Sequence, residues 1–138
     1  NRMYPGGNEY NIAYNAKLQG ADSGFMGIFA DDRVGQILEE TLKEAGIDTS
    51  YSHHEHGSSG YALVDLKDGD RVFIDWNRKG VTDLYPFTFT EDEIKYIKGF
   101  DVACISWEPG SAERRSGNWL LQISVSVMIF MTIFRKKI

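Results

Sequence analysis

Residues 5–13 read Pro-Gly-Gly-Asn-Glu-Tyr-Asn-Ile-Ala, a pair of glycines directly before a helical pattern. After the glycines, Tyr10 and Tyr14 recur at helical spacing, and Gly20 stands where a left-handed cap would end a helix. We therefore predict a helix over residues 8–18 that is opened by a Gly-Gly turn.

The Gly-Gly turn offers the donors and acceptors that polyol recognition needs. Its glycines let the backbone approach a ligand without interference from a Cβ atom, and the start of the following helix offers free N–H donors. The side-chain amide of Asn11 both donates and accepts. Gly6, Gly7 and Asn11 are therefore candidates for ligand binding, and a purely structural turn is the alternative.

The next segments alternate between strand and helix. Residues 24–30 form a short apolar run suited to a buried strand. The helix that follows is capped by Asp31 or Asp32 and ends at Gly46. Its apolar stripe repeats at helical spacing and comprises Val34, Ile37, Leu38, Leu42 and Ala45.

Two β-rich runs, residues 61–67 and 70–76, flank Asp68-Gly69, a dipeptide that tolerates the positive φ of a tight hairpin turn. We predict a partly exposed hairpin over about residues 60–77.

A further helix and strand follow the hairpin. Thr90 and Glu93 form a capping box for a helix that Gly99 ends, and residues 102–107 are apolar enough for a strand. Strands and helices thus alternate around an inserted hairpin. This order predicts an α/β domain with a parallel sheet and a small β appendage.

The composition favours one globular domain that binds small molecules. The chain has 138 residues, of which 42% are hydrophobic and 13% aromatic, so it is neither disordered nor fibrous in type. A net charge of −5 and a pI near 5.1 provide no basic surface for a phosphate backbone, which argues against nucleic acid. The single Cys104 cannot form an internal disulfide, and its apolar surroundings predict a buried strand in a reducing cytoplasm.

Three histidines lie close together, at His53, His54 and His56, with Glu55 among them. Imidazole is a common metal ligand. No second group of ligands with suitable spacing accompanies this run, so we predict no metal site and interpret the run as a loop.

Several of these segments, taken in order, resemble one enzyme family. The Gly-Gly-Asn-x-x-Asn-x-Ala pattern, followed by Phe-Met-Gly-Ile-Phe-Ala-Asp-Asp-Arg-Val-Gly at residues 25–35, resembles the first signature of the ribokinase-like (phosphofructokinase-B type) carbohydrate kinases. Gly-Ile-Asp at residues 46–48 and Asp-Arg-Val-Phe-Ile-Asp at residues 70–75 are similar to its fructoselysine-kinase branch. The resemblance covers about residues 4–107.

The resemblance implies a fold and a set of roles. The fold would be part of a ribokinase-like, Rossmann-like parallel sheet with flanking helices and a β-hairpin lid. Gly6, Gly7 and Asn11 would contact the hydroxyls of a small-molecule sugar or sugar-amine substrate. Asp75 would be a lid contact that shares one face with Phe73 if the strand is regular, the alternative being a solvated residue. The lid would also be the surface through which a homodimer forms.

The same resemblance limits the expected activity. Intact members use ATP and Mg²⁺, and their Gly-Ala-Gly-Asp loop, which supplies the catalytic base, is absent from these 138 residues. The family's first strand would precede Asn1. We therefore expect an inactive N-terminal fragment that binds neither ATP nor Mg²⁺. Glu9 and Ala30 replace a small residue and a glycine that are usual in the family, which leaves the sugar open. A non-catalytic sugar- or nucleoside-binding module and a membrane-anchored α/β domain are the alternatives.

The composition changes after the kinase-like segment, so we expect residues 1–107 and 108–138 to be separate units. The first holds 10 Lys and Arg against 18 Asp and Glu, and the second holds 5 against 2. Residues 119–134 are uncharged and precede Arg135, like a short membrane anchor, although a span usually takes ~20 apolar residues. The competing interpretation, which we favour, is a soluble sequence translated out of frame.

The out-of-frame interpretation makes a prediction from the genetic code. If one base is restored near the codon of Trp107, that codon and the next together give glycine, and Met131-Thr132 gives aspartate. Sequencing the source DNA checks this prediction. We expect an open alternate frame that continues to Gly-Ala-Gly-Asp, and a stop codon before the aspartate would show that the tail is genuine.

Overall fold

The computed structural model describes residues 3–77, 79–85, 87–106 and 130–135. Its helices are α1 (Asn8–Leu18), α2 (Arg33–Glu44), α3 (Val81–Leu84) and α4 (Glu91–Ile97). Its strands are β1 (Asp22–Met26), β2 (Ile28–Ala30), β3 (His53–Glu55), β4 (Ala62–Lys67), β5 (Asp70–Trp76), β6 (Val102–Ser106) and β7 (Phe130–Arg135). Helices and strands alternate around a hairpin, so the predicted α/β class is confirmed.

Both predicted helices of the N-terminal half are present. α1 begins after Gly7, whose φ is 106°, and Gly20 follows it at φ 87°. Asp32 caps α2, because its Oδ1 accepts a hydrogen bond from the backbone N–H of Gly35 at 2.8 Å. Gly46, at φ 74°, follows α2 in the left-handed conformation that glycine adopts without strain.

The apolar run of residues 24–30 forms two strands rather than the one predicted. β1 ends at Met26 and β2 begins at Ile28, because the two strands pair with different neighbours. β2 pairs in parallel with β3, which lies where the sequence predicts a loop. The carbonyl of Gly27, between the strands, accepts a hydrogen bond from the backbone N–H of His53 at 2.8 Å.

β1, β7 and β6 form a three-stranded sheet in that order. β7 runs antiparallel to both neighbours, so β1 and β6 are parallel to each other. β1 and β6 are both edge strands of this sheet, and β6 is less covered than β1. Cys104, predicted to be buried, is therefore only half-buried, and Ile105 beside it is 48% exposed.

The interpretations of residues 108–138 fall largely outside the described residues. Of this segment the structure describes residues 130–135, which form β7. In the described parts of the chain no helix is both long and apolar enough to cross a membrane. The reading frame of the tail stays a prediction.

Two apolar clusters form the core, one on each face of the layer that β1 and β2 make. The first comprises Tyr10, Ala13, Phe25, Phe29, Leu42 and Ile47. The second comprises Met26, Ile28, Ala30, Val81 and Phe87. Successive residues of β1 and β2 fall into different clusters, as the pleat of a strand requires. As a result α1 and α2 cover one face, and the segment around α3 covers the other.

Two local predictions for the second half of the chain are confirmed. Asp68 and Gly69 have φ values of 54° and 83°, as a type I′ hairpin turn requires. Thr90 caps α4 in a capping box: Glu93 Oε2 accepts a hydrogen bond from the Thr90 backbone N–H at 2.6 Å, and Thr90 Oγ1 accepts one from the Glu93 backbone N–H at 3.3 Å.

The hairpin is not regular, and this changes the placement of Asp75. A bulge shifts the register between Leu63 and Val64, so Val64 pairs with Phe73 whereas Leu63 pairs with Asp75. Adjacent residues of β4 point to opposite faces. The strand is therefore not regular, as a shared face would require, and the register places Phe73 and Asp75 on opposite faces.

Gly35 allows α2 to lie directly on β2. A Cβ atom there would sit 2.1 Å from the carbonyl oxygen of Ala30, a backbone atom that cannot move aside. We predict that Gly35→Ala lowers the free energy of unfolding by at least about 2 kcal/mol, measured by urea denaturation. Gly6→Ala is the control, because its Cβ would meet nothing within 4 Å. Equal stability of the two variants would contradict this close approach.

Candidate functional site

The Gly-Gly turn before α1 is open to solvent. Gly7 is the N-cap residue, with φ 106° and ψ 151°, and no side chain caps the helix there. The carbonyl of Gly7 accepts the first helical hydrogen bond, from the backbone N–H of Asn11 at 3.0 Å. A helix start without an N-cap side chain is a place where backbone N–H donors can meet a ligand or water.

Asn11 lies one turn into α1 and is exposed. Its backbone carbonyl accepts a hydrogen bond from Nδ2 of Asn15 at 2.7 Å, and this contact does not use the side chain of Asn11. Gly6 is exposed as well. The structure thus places Gly6, Gly7 and Asn11 together at the N-terminal end of α1.

Glu9 is the buried member of this group. It is 6% exposed, and a Cβ atom on Gly7 would lie 3.9 Å from its Oε2. The helix dipole favours a carboxylate in the first turn. The sequence marks Glu9 as an unusual residue in its motif but does not reveal its burial. A buried carboxyl group therefore lies close to Gly7 at the start of α1.

Asp75, the remaining candidate, lies apart from this group. Every residue of β4 and β5 is exposed, so the hairpin does not pack against the turn. Asp75 Oδ1 accepts a hydrogen bond from the backbone N–H of Trp76 at 2.8 Å, which is a local contact. The structure brings together three of the four predicted residues and leaves Asp75 on the hairpin.

Comparison with known protein families assigns the chain to one of them. The pattern of the pfkB family carbohydrate kinases matches residues 1–106, most of the chain and both core clusters. The chain belongs to the pfkB family of carbohydrate kinases. The match ends one residue before the point where the sequence predicts that the resemblance ends.

Several curated pfkB-type relatives are similar to this chain. Fructosamine kinase FrlD of Bacillus subtilis (strain 168) is 35% identical over 101 residues, which are 72% of this chain and 36% of that protein. Fructoselysine 6-kinase of Escherichia coli (strain K12) is 30% identical over 102 residues, 74% of this chain and 38% of that protein. A 5-dehydro-2-deoxygluconokinase of Geobacillus thermodenitrificans is 35% identical over 99 residues, 69% of this chain and 29% of that protein. The chain thus spans little more than a third of the first two relatives. No solved structure matches it.

The three histidines of this pfkB-family chain each contact a carboxylate from a different element. The nitrogen–oxygen distances are 2.5 Å for His53–Glu93, 2.9 Å for His54–Glu39 and 2.6 Å for His56–Asp31. The orientations of His53 and His54 follow from β3, because adjacent strand residues face α4 and α2 in turn. Within the described ranges, no three His, Cys, Asp or Glu side chains are grouped as a metal ion would need.

The His56–Asp31 pair is exposed and alters both pKa values. The hydrogen bond and the charge of Asp31 raise the pKa of His56 above its ordinary 6.5. Hydrogen bonds from Gly57 and His56 hold the pKa of Asp31 below its ordinary 3.8. The shift of His56 stabilises the fold fully below pH 6.5, and this stabilisation is lost as the pH rises through the folded-state pKa. The shift of Asp31 stabilises the fold above pH 3.8 and is lost as the pH falls.

We predict that His56 titrates above pH 6.5 when followed by NMR. Asp31→Asn should return its pKa toward the ordinary value, because it removes the negative charge that favours the protonated imidazole. Asp70→Asn, at the tip of the hairpin, is the matched control and should leave His56 unchanged. An unchanged His56 titration in Asp31→Asn would show that the pair does not form in solution.

Proposed function

We propose that this chain forms the sugar-binding side of an ATP-dependent carbohydrate kinase that acts on a fructosamine-type substrate such as fructoselysine. The observation that carries the proposal is the open, uncapped Gly6-Gly7 turn with Asn11 beside it, inside the segment that matches the family. The names of two relatives, a fructosamine kinase and a fructoselysine 6-kinase, support a sugar-amine substrate. The activity of the whole enzyme and its cytoplasmic location are part of the proposal.

In this proposal the turn and the first turn of α1 contact the sugar. Gly6 lets the backbone approach the sugar ring, and the first N–H groups of α1 donate to its hydroxyls. The side-chain amide of Asn11 accepts from one hydroxyl and donates to another. The carboxyl group of Glu9 lies close by but is buried, so we assign it no contact with the ligand. The hairpin closes over the bound sugar.

Intact carbohydrate kinases of this family use ATP and Mg²⁺, but the described residues do not fit this pair. No three acidic or imidazole side chains among them surround a common point. Asp31 and Asp32, two adjacent acids, already accept hydrogen bonds from Gly57 and Ser59. The 138 residues also contain no Gly-Ala-Gly-Asp. We therefore assign sugar binding to this chain and derive no step of phosphoryl transfer from it.

Isothermal titration calorimetry with fructoselysine tests the proposal. Asn11→Ala should weaken binding by roughly tenfold, because a hydrogen bond to the ligand is worth about 1–1.5 kcal/mol. Gly6→Ala should weaken binding without altering stability, since its Cβ meets only open space in the free protein. Asn15→Ala removes the same side chain one turn further along α1 and should bind as the parent does.

Equal affinities of Asn11→Ala and Asn15→Ala would place the sugar elsewhere. Tighter binding of a nucleoside such as adenosine would favour a nucleoside-binding module instead. ATP turnover by the purified chain above a no-protein control would contradict the assignment of binding alone.

We also propose that a second copy of the chain covers the apolar face of the hairpin. Val64 pairs with Phe73 on this face, and Leu66 and Trp76 share it by the register of the strands. Leu66 is 80% exposed and Phe73 is 61% exposed. An isolated two-stranded hairpin is marginally stable, and such a patch is typical of an interface.

Light scattering after size exclusion tests this homodimer. Phe73→Lys should shift the chain toward monomer, because it removes an apolar ring from this face and adds a second cation beside Arg71, which lies over the Phe73 ring. Val72→Lys is the matched control: Val72 pairs with Asp65 on the opposite face, where a lysine is tolerated. A monomeric parent chain, or equal masses for the two variants, would contradict the proposed interface.

A further inference from the structure

The hairpin is attached to the body of the protein by a compact group of polar contacts at its base. Beyond this base, every residue of β4 and β5 is exposed. The direction in which the hairpin projects is therefore set at the base. We call the four residues that make these contacts, Asp32, Ser59, Tyr61 and Asn77, the hairpin joint.

Asn77 connects both legs of the hairpin within the joint. Its Oδ1 accepts a hydrogen bond from the backbone N–H of Tyr61 at 2.8 Å, and its own backbone N–H donates to the Tyr61 carbonyl at 3.1 Å. Its Nδ2 donates to the carbonyl of Ser59 at 2.6 Å. The donor and the acceptor of one amide thus fix two residues of the opposite leg.

Ser59 links Asn77 to the body of the protein through Asp32. Its backbone N–H donates to Asp32 Oδ2 at 2.7 Å, and its hydroxyl donates to Asp32 Oδ1 at 2.6 Å. Asp32 is also the N-cap of α2. Ser59 is 4% exposed, so water does not compete freely for these bonds. A continuous chain of hydrogen bonds therefore runs from α2 to the hairpin.

The chain segments that lead into and out of the hairpin also approach each other closely at two glycines. A Cβ atom on Gly80 would lie 2.9 Å from the backbone nitrogen of Gly60. A Cβ atom on Gly57, whose φ is 150°, would lie 2.9 Å from Cγ1 of Val81. These contacts leave little room for the two segments to slide past each other at the base of the hairpin.

We propose that Asn77 is a positioning residue that, through Ser59 and Asp32, holds the hairpin at a fixed direction relative to α2. This role rests on the proposed function: a hairpin that is already held in one direction can close on a sugar without the entropic cost of ordering it. The role itself concerns the motion of the hairpin and can be measured without a sugar.

Trp76, adjacent to Asn77, reports that motion. Trp107→Phe and Trp119→Phe leave it as the single fluorophore, since the chain has 3 tryptophans. In this background Asn77→Ala should increase the fast component of its time-resolved anisotropy. Amide exchange at Tyr61 should accelerate by roughly tenfold, because its acceptor is lost. Asn15→Ala, which removes an amide on α1, is the matched control.

Asn77→Asp separates the two functions of the amide. It keeps the acceptor for Tyr61 and removes the donor to Ser59, so the Tyr61 amide should stay protected while the Trp76 anisotropy still shows added motion. A residue with only a general structural role would not separate these two readouts. Should Asn77→Ala fail to fold, the Asp variant decides alone.

Unchanged Trp76 motion in both Asn77 variants would overturn the proposal. If the parent chain binds fructoselysine, Asn77→Ala should weaken binding several-fold while Asn15→Ala does not. Added motion with unchanged affinity would overturn the positioning role. If the parent chain does not bind the sugar, the proposed function fails, and the anisotropy still decides whether the joint holds the hairpin.

Discussion

The carboxylate of Asp32 is the contact on which the arrangement of the site depends. It accepts hydrogen bonds from the backbone N–H groups of Gly35 and Ser59 and from the Ser59 hydroxyl, at 2.6–2.8 Å. The first begins α2, and the other two hold the hairpin. Burial by itself would raise the pKa of Asp32, but these bonds outweigh it and hold the pKa below its ordinary value. The carboxylate therefore stays ionised, and stabilises the fold, until the pH falls through that lowered pKa.

The parts of the fold that could be predicted from the sequence are those that local chemistry specifies. The cap at Asp32 and the capping box at Thr90 each depend on side chains within three residues of the helix start. The type I′ turn depends on Asp68-Gly69 alone. The Gly-Gly turn is also specified by neighbouring residues. Gly6, Gly7 and Asn11 could therefore be named from the sequence as neighbours in one candidate site.

The parts that could not be predicted depend on partners distant in the chain. The break at Gly27 exists because β1 pairs with β7 while β2 pairs with β3, a choice that no local pattern encodes. The bulge that separates Phe73 from Asp75 is likewise a property of the pairing and not of either strand. Asn77 lies just after β5 and belongs to no recognisable sequence motif, so its contacts with Tyr61 and Ser59 could not be predicted. The burial of Glu9 is also a result of packing.

The core holds the start of α1 in place, because Tyr10 packs into the first apolar cluster. The candidate sugar site lies on the exposed side of this helix start. The central claim is that this open turn binds a sugar-amine. NMR titration of the ¹⁵N-labelled chain with fructoselysine, followed amide by amide, tests it most directly. The account predicts saturable shifts at Gly6, Gly7 and Asn11. Shifts confined to residues outside this turn, or no saturable shift at all, would contradict it.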